Sequence, residues 1–339
     1  MTTKKTCLLI APLSFYSYSE YIKNELSRVG YEVIISNDEY PANTIGKILG
    51  KLKIPLLLWI TKPRIVNSFL KGKKYDLTVI IKGRGMSSSL IKEIKKVCPK
   101  VIGYTYDSFK FHPHPKKWYK NVDAFFTFDY NDAEKNNLEV IELFSSLPDK
   151  IGNKKQNYEI SGILRNHSKR LQFVDQVLSA LPDSKKYIYI WEKNFVTFTQ
   201  NFFKSPRLYF KYRKYIYFKS LSYEKYITIL NNSNFVIDFA HPYQSGNTIR
   251  CYEAQSCGTK IITNNPSVFK DKHFNSENNI LLREKSEIPT LLEKYYAIKN
   301  TVPEKYNRSI NVFVNDLLEK GKVEKHSVKS LYFDSICIN

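Results

Sequence analysis

Short apolar runs of four to eight residues alternate with amphipathic segments along most of this 339-residue chain. This alternation is typical of parallel strands joined by crossover helices. In the first half it predicts strands at residues 6–11, 32–36, 77–82, 101–106, 124–128 and 140–143. It predicts helices between them at residues 19–29, 45–70 (interrupted by Pro55 and Pro63) and 88–97.

The second half repeats the alternation after a polar, turn-rich stretch at residues 148–157, where we place a domain linker. Strands are predicted at residues 158–163, 187–191, 235–239, 260–263 and 280–282. Helices are predicted at residues 169–181, 223–231, 248–256 and 288–298. The pattern therefore predicts an α/β protein with two tandem Rossmann-like, doubly wound domains at 1–150 and 151–310, whose sheets enclose a cleft. The amphipathic tail at 311–339 would return to the first domain.

Composition narrows the class of protein without selecting a ligand. An apolar fraction of 42% and an aromatic fraction of 14% are those of a folded chain. The formal charge of +21 should attract phosphates, polyanions or anionic membranes. The lysines are spread along the chain, however, so a solvated basic surface explains the charge as well.

The spacing of the cysteines and the length of the apolar runs indicate the cellular compartment of the protein. The five cysteines form no CxxC pair, which favours a reducing compartment and argues against a structural zinc site. The N-terminus leads directly into a predicted strand, and no apolar run reaches the roughly 20 residues that a membrane span needs. We therefore expect a cytoplasmic protein, with peripheral membrane association as an option.

The most informative segment is 233–265, in which a buried strand is followed by a polar loop and then a helix. Ligands of parallel sheets bind beyond the carboxyl ends of strands, and a helix N-terminus reached through a glycine loop suits a phosphate. In this segment an arginine and a glutamate three residues apart share one helix face, where they could neutralise a diphosphate and bind a ribose. A simple turn, a helix cap and a surface ion pair remain the structural alternatives. The candidate donor-binding residues are His241, Gln244, Gly246, Asn247, Thr248, Arg250 and Glu253.

This segment resembles the donor-binding end of GT-B glycosyltransferases, particularly those of capsule and lipopolysaccharide gene clusters. The resemblance lies in His-Pro, Gly-Asn-Thr, Tyr-Glu-Ala and Cys-Gly followed by a short strand, and it covers mainly residues 158–282. It implies that Glu253 holds the ribose and that Gly246, Thr248 and Arg250 hold the diphosphate. It also implies that the loop after the strand at 158–163 faces the diphosphate, with Arg165, His167 and Arg170 as contacts, although a basic helix start explains these three equally.

One departure from the resembled family concerns stereochemistry. The wider family often carries a second glutamate a couple of helical turns before the ribose-binding one, whereas this chain has Gln244 and Ser245 there. A retaining mechanism is therefore not supported.

The first half contributes candidates for the acceptor side. Lys82, Gly83 and Gly85 follow a predicted strand and open a helix; they only weakly match a dinucleotide fingerprint, so we place them in the cleft wall facing the acceptor. Asp107 ends the next strand and is the candidate general base, with a helix cap or turn as the alternative. His112 and His114 lie just beyond and are candidates for the same role.

The chemistry that follows is sugar transfer from a nucleoside-diphosphate sugar, with no cofactor. The sequence has no Asp-x-Asp triplet to carry a divalent ion and no His-Glu-x-x-His motif. We therefore expect metal-independent transfer, in which helix dipoles and basic side chains stabilise the leaving diphosphate.

Partners other than the donor are predicted from two basic segments. Residues 45–74 mix apolar and lysine-rich positions and would lie on an anionic inner leaflet that presents a polyprenyl-linked or other glycan acceptor, unless they form an ordinary buried helix. Residues 185–219 interleave aromatic and basic positions, which makes a nucleic-acid-binding protein the main alternative. A nicotinamide-dependent enzyme that uses the Gly83 loop is a further alternative.

Overall fold

The computed structural model describes residues 4–13, 18–51, 56–147 and 156–323. The described chain forms two compact units. The first unit takes its residues from Met1–Thr105, Pro113–Phe126 and Val314–Asn339, and the second from Tyr106–His112 and Thr127–Phe313. The predicted linker at 148–157 lies almost entirely outside the described residues.

A first six-stranded sheet has the order β2-β1-β3-β4-β5-β6. Its strands are short and apolar, and β1, β3 and β4 are buried nearly throughout, as strands covered by helices on both faces should be. β1 pairs in parallel with β2 and β3, and β3 pairs in parallel with β4. The strands are β1 (Lys5–Ala11), β2 (Tyr31–Asn37), β3 (Leu77–Ile81), β4 (Val101–Thr105), β5 (Ala124–Thr127) and β6 (Glu139–Val140).

The helices between these strands include α4, whose N-cap Ser87 accepts a hydrogen bond from the backbone of Leu90. The predicted helix at 45–70 is two helices and a π-helical turn, with Pro63 inside the second helix. The helices are α1 (Tyr18–Arg28), α2 (Thr44–Lys51), α3 (Leu56–Ile65), the π-helix Val66–Leu70, α4 (Ser88–Val97) and α5 (Tyr130–Asn136).

The second sheet has the order β12-β11-β10-β7-β8-β9, and every neighbouring pair is parallel. The chain starts at the centre with β7, moves outward through β8 and β9, and then returns to β10 on the other side of β7. The sheet order therefore reverses between β7 and β10. The strands are β7 (Tyr158–Arg165), β8 (Lys186–Trp191), β9 (Ile216–Tyr217), β10 (Ser233–Asp238), β11 (Lys260–Thr263) and β12 (Ile280–Leu281).

The second unit buries one hydrophobic core between its sheet and its helices, with Ile160, Ile190, Phe235 and Ile262 at the strand centres. Its helices are α6 (Arg170–Ala180), α7 (Phe195–Lys204), α8 (Pro206–Lys211), α9 (Tyr223–Asn231), α10 (Ile249–Ser256) and α11 (Ile288–Ile298). A final helix, α12 (Ile310–Lys320), provides the four buried side chains Phe313, Val314, Leu317 and Leu318. Gly321 lies against Ile102 of the first unit, where an added Cβ would be 2.4 Å from the isoleucine side chain.

The α/β fold class with two parallel sheets is confirmed, and the predicted strands are present with ends shifted by at most three residues. β9, α5, α7 and α8 were not predicted from the sequence. β9 has only two residues, and the aromatic-rich segment that forms α7 and α8 lacks a clear apolar period. None of the helices within the described residues is both long and apolar enough to cross a lipid bilayer.

Candidate functional site

The strand order reverses between β7 and β10, and the carboxyl-end edge at such a reversal is where open parallel sheets bind their ligands. β7 ends at Arg165, the loop after β7 carries His167, and α6 begins at Arg170, while the loop after β10 carries His241 and Gln244 to the same edge. Residues separated by about 75 positions in sequence therefore meet at one edge of the second unit.

The charges at this edge act on one another. Burial lowers the pKa of His167 to about 4, and the positive charges of Arg170, Arg165 and His241 act in the same direction. Burial and Arg170 also lower the pKa of His241, while Asp107 raises it. Both imidazoles are therefore mainly neutral at pH 7, and the positive charge at this edge is carried by the guanidinium groups of Arg165 and Arg170.

The turn before α6 has an unusual backbone that was not predicted from the sequence. Ser168 and Lys169 both adopt positive φ, 54° and 67°. Non-glycine residues in this left-handed region carry a strain of order 1–3 kcal/mol each and cluster at ligand sites. The turn ends with the Arg170 backbone donating to the His167 carbonyl, 3.1 Å away.

The short segment 106–112 packs against the loop that follows β10. Gln244 Nε2 donates to the Asp107 carboxylate at 3.0 Å, and the Ser108 hydroxyl donates to the Tyr243 carbonyl. The ring of Phe111 lies 4.7 Å from that of His241. The structure thus brings the predicted general base, Asp107, to the same edge as the predicted donor residues.

The two histidines predicted to share the role of Asp107 are both buried. His112 belongs to the second unit, where its backbone donates to the Ser108 carbonyl at 2.7 Å. His114 belongs to the first unit and starts a 3₁₀ turn at His114–Lys117.

Packing explains the loop glycine Gly246, which the sequence analysis assigned to close approach of a ligand. A Cβ at this position would lie 2.3 Å from the Phe128 carbonyl oxygen. The neighbouring Ser245 backbone donates to the buried Asp129 carboxylate at 2.6 Å, and Asn265 Nδ2 donates to both the Ser245 and Gly246 carbonyls. These bonds fix the loop in place before any ligand arrives.

The next two loop residues are also held by side-chain bonds. Asn247 Nδ2 donates to the Val268 carbonyl at 3.2 Å. The Thr248 hydroxyl donates to the Asp238 carboxylate at 2.6 Å and makes no cap bond to α10. Both side chains thus tie the loop to its surroundings.

Arg250 is neutralised by a carboxylate that the sequence analysis missed. Its Nη1 lies 3.5 Å from the fully buried Asp238, and its Nη2 donates to the Ile163 carbonyl at 2.9 Å. Asp238 is the last residue of β10 and accepts a second hydroxyl bond from Thr263 at 3.1 Å. The sequence feature that could have identified this pair was an acidic residue at the end of a buried strand, followed twelve residues later by an arginine. This pairing neutralises the charge of Arg250.

Glu253 is buried among hydroxyl groups. Its Oε1 accepts from Tyr223 at 2.8 Å and from Ser146 at 3.2 Å, and its Oε2 accepts from Tyr226 at 2.9 Å. Burial raises the pKa of this carboxyl, and these hydroxyl donors oppose the shift. A carboxylate that already accepts hydroxyl groups has the chemistry that a ribose diol requires. The tyrosines and Ser146 were not identified from the sequence.

The glycine loop of the first unit is also tightly packed. Gly83 has a φ of 59°, and a Cβ there would lie 2.5 Å from the Trp118 ring, whose Nε1 donates to the Gly83 carbonyl. A Cβ on Gly85 would lie 2.6 Å from the Thr61 hydroxyl. Lys82 precedes this turn with a φ of 66°. Packing therefore accounts for both glycines without a ligand.

The described residues contain no group of three or more His, Cys, Asp and Glu side chains arranged to hold a metal ion. Cys7, Cys98, Cys251 and Cys257 are buried free thiols, and Cys337 lies outside the described residues.

No family model and no curated protein sequence matches the chain. Solved structures do match over nearly its full length. A glycosyltransferase from Rickettsia africae superposes with a TM-score of 0.60 at 14% identity, covering 94% of this chain and 98% of the other. The lipopolysaccharide outer core galactosyltransferase WaaB gives 0.58 at 11% identity, covering 93% and 99%.

A UDP-GlcNAc 2-epimerase from Methanocaldococcus jannaschii, solved with UDP-GlcNAc and UDP, gives a TM-score of 0.54 at 12% identity, covering 93% of this chain and 99% of the other. At these identities the likeness establishes architecture only. Two parallel six-stranded sheets with flanking helices, matched over nearly the whole chain by glycosyltransferases, give this protein the GT-B fold.

Proposed function

We propose that this protein is a glycosyltransferase that moves a sugar from a nucleoside-diphosphate sugar to a hydroxyl of a glycan or polyprenyl-linked acceptor in surface polysaccharide synthesis. The observation that carries the proposal is the pair Arg165 and Arg170 at the reversal point of the second sheet, beside His167 and His241. The fold shared with glycosyltransferases supports the reaction class, and WaaB supports the polysaccharide context.

The two arginines would act on the leaving group. The acceptor hydroxyl oxygen attacks the anomeric carbon, the bond from that carbon to the diphosphate oxygen breaks, and the nucleoside diphosphate departs with the electron pair. Guanidinium groups that already face this negative charge lower the barrier without reorganising. They take the part that a divalent ion plays elsewhere, so we expect transfer to continue in the presence of EDTA.

Asp107 would take the proton of the acceptor hydroxyl. It is buried, and Gln244 Nε2 donates to its Oδ1 at 3.0 Å, which orients the carboxylate. A positioned carboxylate typically contributes a factor of about 10² to 10⁴ as a general base. His112 and His114 remain further candidates, and Lys82, Gly83 and Gly85 remain candidates for the acceptor side.

Glu253 would hold the ribose of the donor. Both hydroxyl groups on its Oε1 come from residues with surface exposure, and Tyr223 is 42% exposed. A ribose diol would replace the Ser146 and Tyr223 hydroxyl groups there, while Tyr226 keeps Oε2 satisfied. The exchange preserves the number of hydrogen bonds to a buried carboxylate, which avoids the cost of an unpaired charge.

Thermal unfolding with a panel of nucleotides tests the proposal. A nucleoside diphosphate that binds the folded protein at 100 times its Kd adds about 2.7 kcal/mol of stability, so we expect the matching diphosphate to raise the melting temperature by several degrees. NAD should leave it unchanged. If no nucleoside diphosphate stabilises the protein, the proposal is wrong.

The matched variants are Arg165→Ala/Arg170→Ala and, as the control, Arg283→Ala. Arg283 is an exposed arginine that pairs with Glu287 on its own surface at 2.7 Å. We expect the double variant to lose the stabilisation by nucleoside diphosphate and the control to keep it. Equal stabilisation of both would remove the loop after β7 from the site.

A nucleotide-sugar epimerase is the second candidate, because a UDP-GlcNAc 2-epimerase shares the fold over 93% of this chain. Proton NMR of a UDP-sugar incubated with the protein separates the two reactions. A transferase changes the donor only when an acceptor is present, whereas an epimerase forms the C2 epimer in its absence.

A further inference from the structure

Helices α7 and α8 of the second unit expose phenylalanine side chains on one surface. Phe195 is 71% exposed, Phe203 75% and Phe210 61%, and Phe218, just after β9, is 51% exposed. Soluble proteins rarely leave several large apolar side chains together in solvent unless the surface binds something. We name these four residues the phenylalanine patch.

The four rings form one continuous surface because each touches one of two half-buried rings. Phe195 and Phe218 contact Phe198, with ring centroids 5.9 and 5.7 Å apart. Phe203 and Phe210 contact Phe202, each at 5.6 Å. Phe198 and Phe202 are themselves 6.1 Å apart.

A buried carboxylate fixes this outward arrangement. Glu192 is almost fully buried and accepts hydrogen bonds from the Asn201 amide at 3.2 Å and from the Tyr209 hydroxyl. Tyr209 packs edge-on against both Phe198 and Phe202, with centroids 5.5 and 6.1 Å apart. The inner faces of α7 and α8 are thus satisfied by polar bonds and ring packing, and the phenylalanine patch is left on the outer face.

The phenylalanine patch belongs to a segment whose charged residues are all basic. Seven basic residues and no acidic residue occur between Lys193 and Tyr223, and all seven are exposed. Lys211 pairs with Asp175 at 2.5 Å. The seven are Lys193, Lys204, Arg207, Lys211, Arg213, Lys214 and Lys219.

We propose that the phenylalanine patch docks this protein on an anionic lipid bilayer. Phenyl rings that carry no polar atom enter the boundary between headgroups and acyl chains, and long basic side chains around them reach anionic headgroups. A protein partner fits less well, because lysine is depleted from protein–protein interfaces. This surface differs from residues 45–74, and its binding does not depend on the sugar-transfer reaction.

Vesicle flotation tests the proposal. The full chain is mixed at low salt with vesicles of phosphatidylcholine alone or with 30% phosphatidylglycerol. We expect flotation only with the anionic vesicles, and release at 0.5 M salt, because the electrostatic contribution is screened. Absence of flotation with anionic vesicles, or equal flotation with neutral ones, would overturn the proposal.

Three variants assign the binding surface. Phe203→Ser/Phe210→Ser should raise the lipid concentration for half-maximal flotation at least tenfold, at an unchanged melting temperature, because both side chains lie largely in solvent. Tyr296→Ser, at an equally exposed aromatic residue of α11, is the control and should float like the unmodified protein. Trp59→Ser in α3 examines the alternative segment, since Trp59 is 77% exposed. Loss of flotation in Trp59→Ser but not in the phenylalanine variant would refute the assignment.

A second measurement reports membrane insertion in a variant that keeps an aromatic ring, so its result does not depend on a loss of protein stability. Phe203→Trp retains an apolar ring, and the quenching by brominated lipid that exceeds that of the unmodified protein, which has three tryptophans of its own, reports insertion at that position. Binding of a single-stranded oligonucleotide is measured in parallel, since basic and aromatic residues can also contact nucleic acid. Oligonucleotide binding that depends on Phe203 and Phe210, with no quenching by brominated lipid, would replace the membrane by nucleic acid.

Discussion

Several residues at the candidate site hold the loop after β10 in its conformation. Gly246 makes room for the Phe128 backbone, and Asp238 neutralises Arg250. Two further arginines lie at the same edge: Arg165 is the last residue of β7, and Arg170 is the first residue of α6. At this scale, the residues around Gly246 preorganise the loop, and the residues around Arg165 supply the positive charge.

Gly246→Ala tests this division. The added methyl group would lie 2.3 Å from the Phe128 carbonyl oxygen, so the loop must shift, and we expect a loss of about 1–3 kcal/mol in unfolding free energy. The control is Gly162→Ala in β7, where the new methyl group has its nearest neighbour 3.6 Å away in ordinary contact. Urea unfolding followed by circular dichroism gives both midpoints. If the urea midpoint of Gly246→Ala equals that of the control, the loop can shift to accept the methyl group without losing stability.

At the scale of elements, α5 and the loop after β10 share one anchor. Asp129 caps α5 by accepting from the Asp132 backbone at 3.0 Å, and its other oxygen accepts from the Ser245 backbone at 2.6 Å. The helix start and the ligand loop are therefore fixed by the same buried carboxylate. Such shared anchoring couples the stability of a helix to the geometry of a site.

Asp129→Ala should therefore cost more than the loss of a cap alone. Ser222 caps α9 through the Lys225 backbone at 3.3 Å, and its replacement by Ala should cost about 1 kcal/mol. Asp129→Ala removes a cap and leaves a second donor unpaired, so we expect a loss of about 2–4 kcal/mol. Thermal unfolding with and without the stabilising nucleotide measures both effects. If both variants lose the same unfolding free energy and stabilisation by the nucleotide is unchanged, then Asp129 caps α5 without holding the loop after β10.

At the scale of the whole molecule, the second unit is assembled from separated segments. Residues 106–112 join it through the Phe109 backbone, which donates to the Asp132 carboxylate at 2.5 Å, and through Asp107, which accepts from Gln244. Arg308 reaches back to the Leu143 carbonyl at 2.9 Å. The net charge of +21 is distributed over the entire chain, and a charge of this kind influences solubility and association, not the fold.

A fragment of residues 151–310 should accordingly fail to fold as it does in the full chain. It lacks Phe128, Asp129 and Ser146, which pack against Gly246, bond to Ser245 and bond to Glu253. We expect poor dispersion in its amide NMR spectrum and no stabilisation by a nucleoside diphosphate. A fragment that unfolds cooperatively and keeps the nucleotide response would show that the earlier segments are dispensable.

The sequence by itself determined the order of strands and helices and the segments that reach the candidate site. Short apolar runs with a period of two or 3.6 are local signals, and the strand that ends at Asp238 and the helix that carries Glu253 were readable in this way. The general-base candidate Asp107 was also visible as the acid that follows β4.

Only the tertiary structure decided which neighbours these residues have. The pairing of Arg250 with Asp238, the three hydroxyl groups on Glu253 and the contact of Gly246 with Phe128 join positions up to 118 residues apart. The exposed phenylalanine patch is of the same kind, because a Phe that packs inward and a Phe that faces solvent look identical in a sequence. Side-chain partners across a sheet depend on chain path and strand order, which local periodicity does not encode.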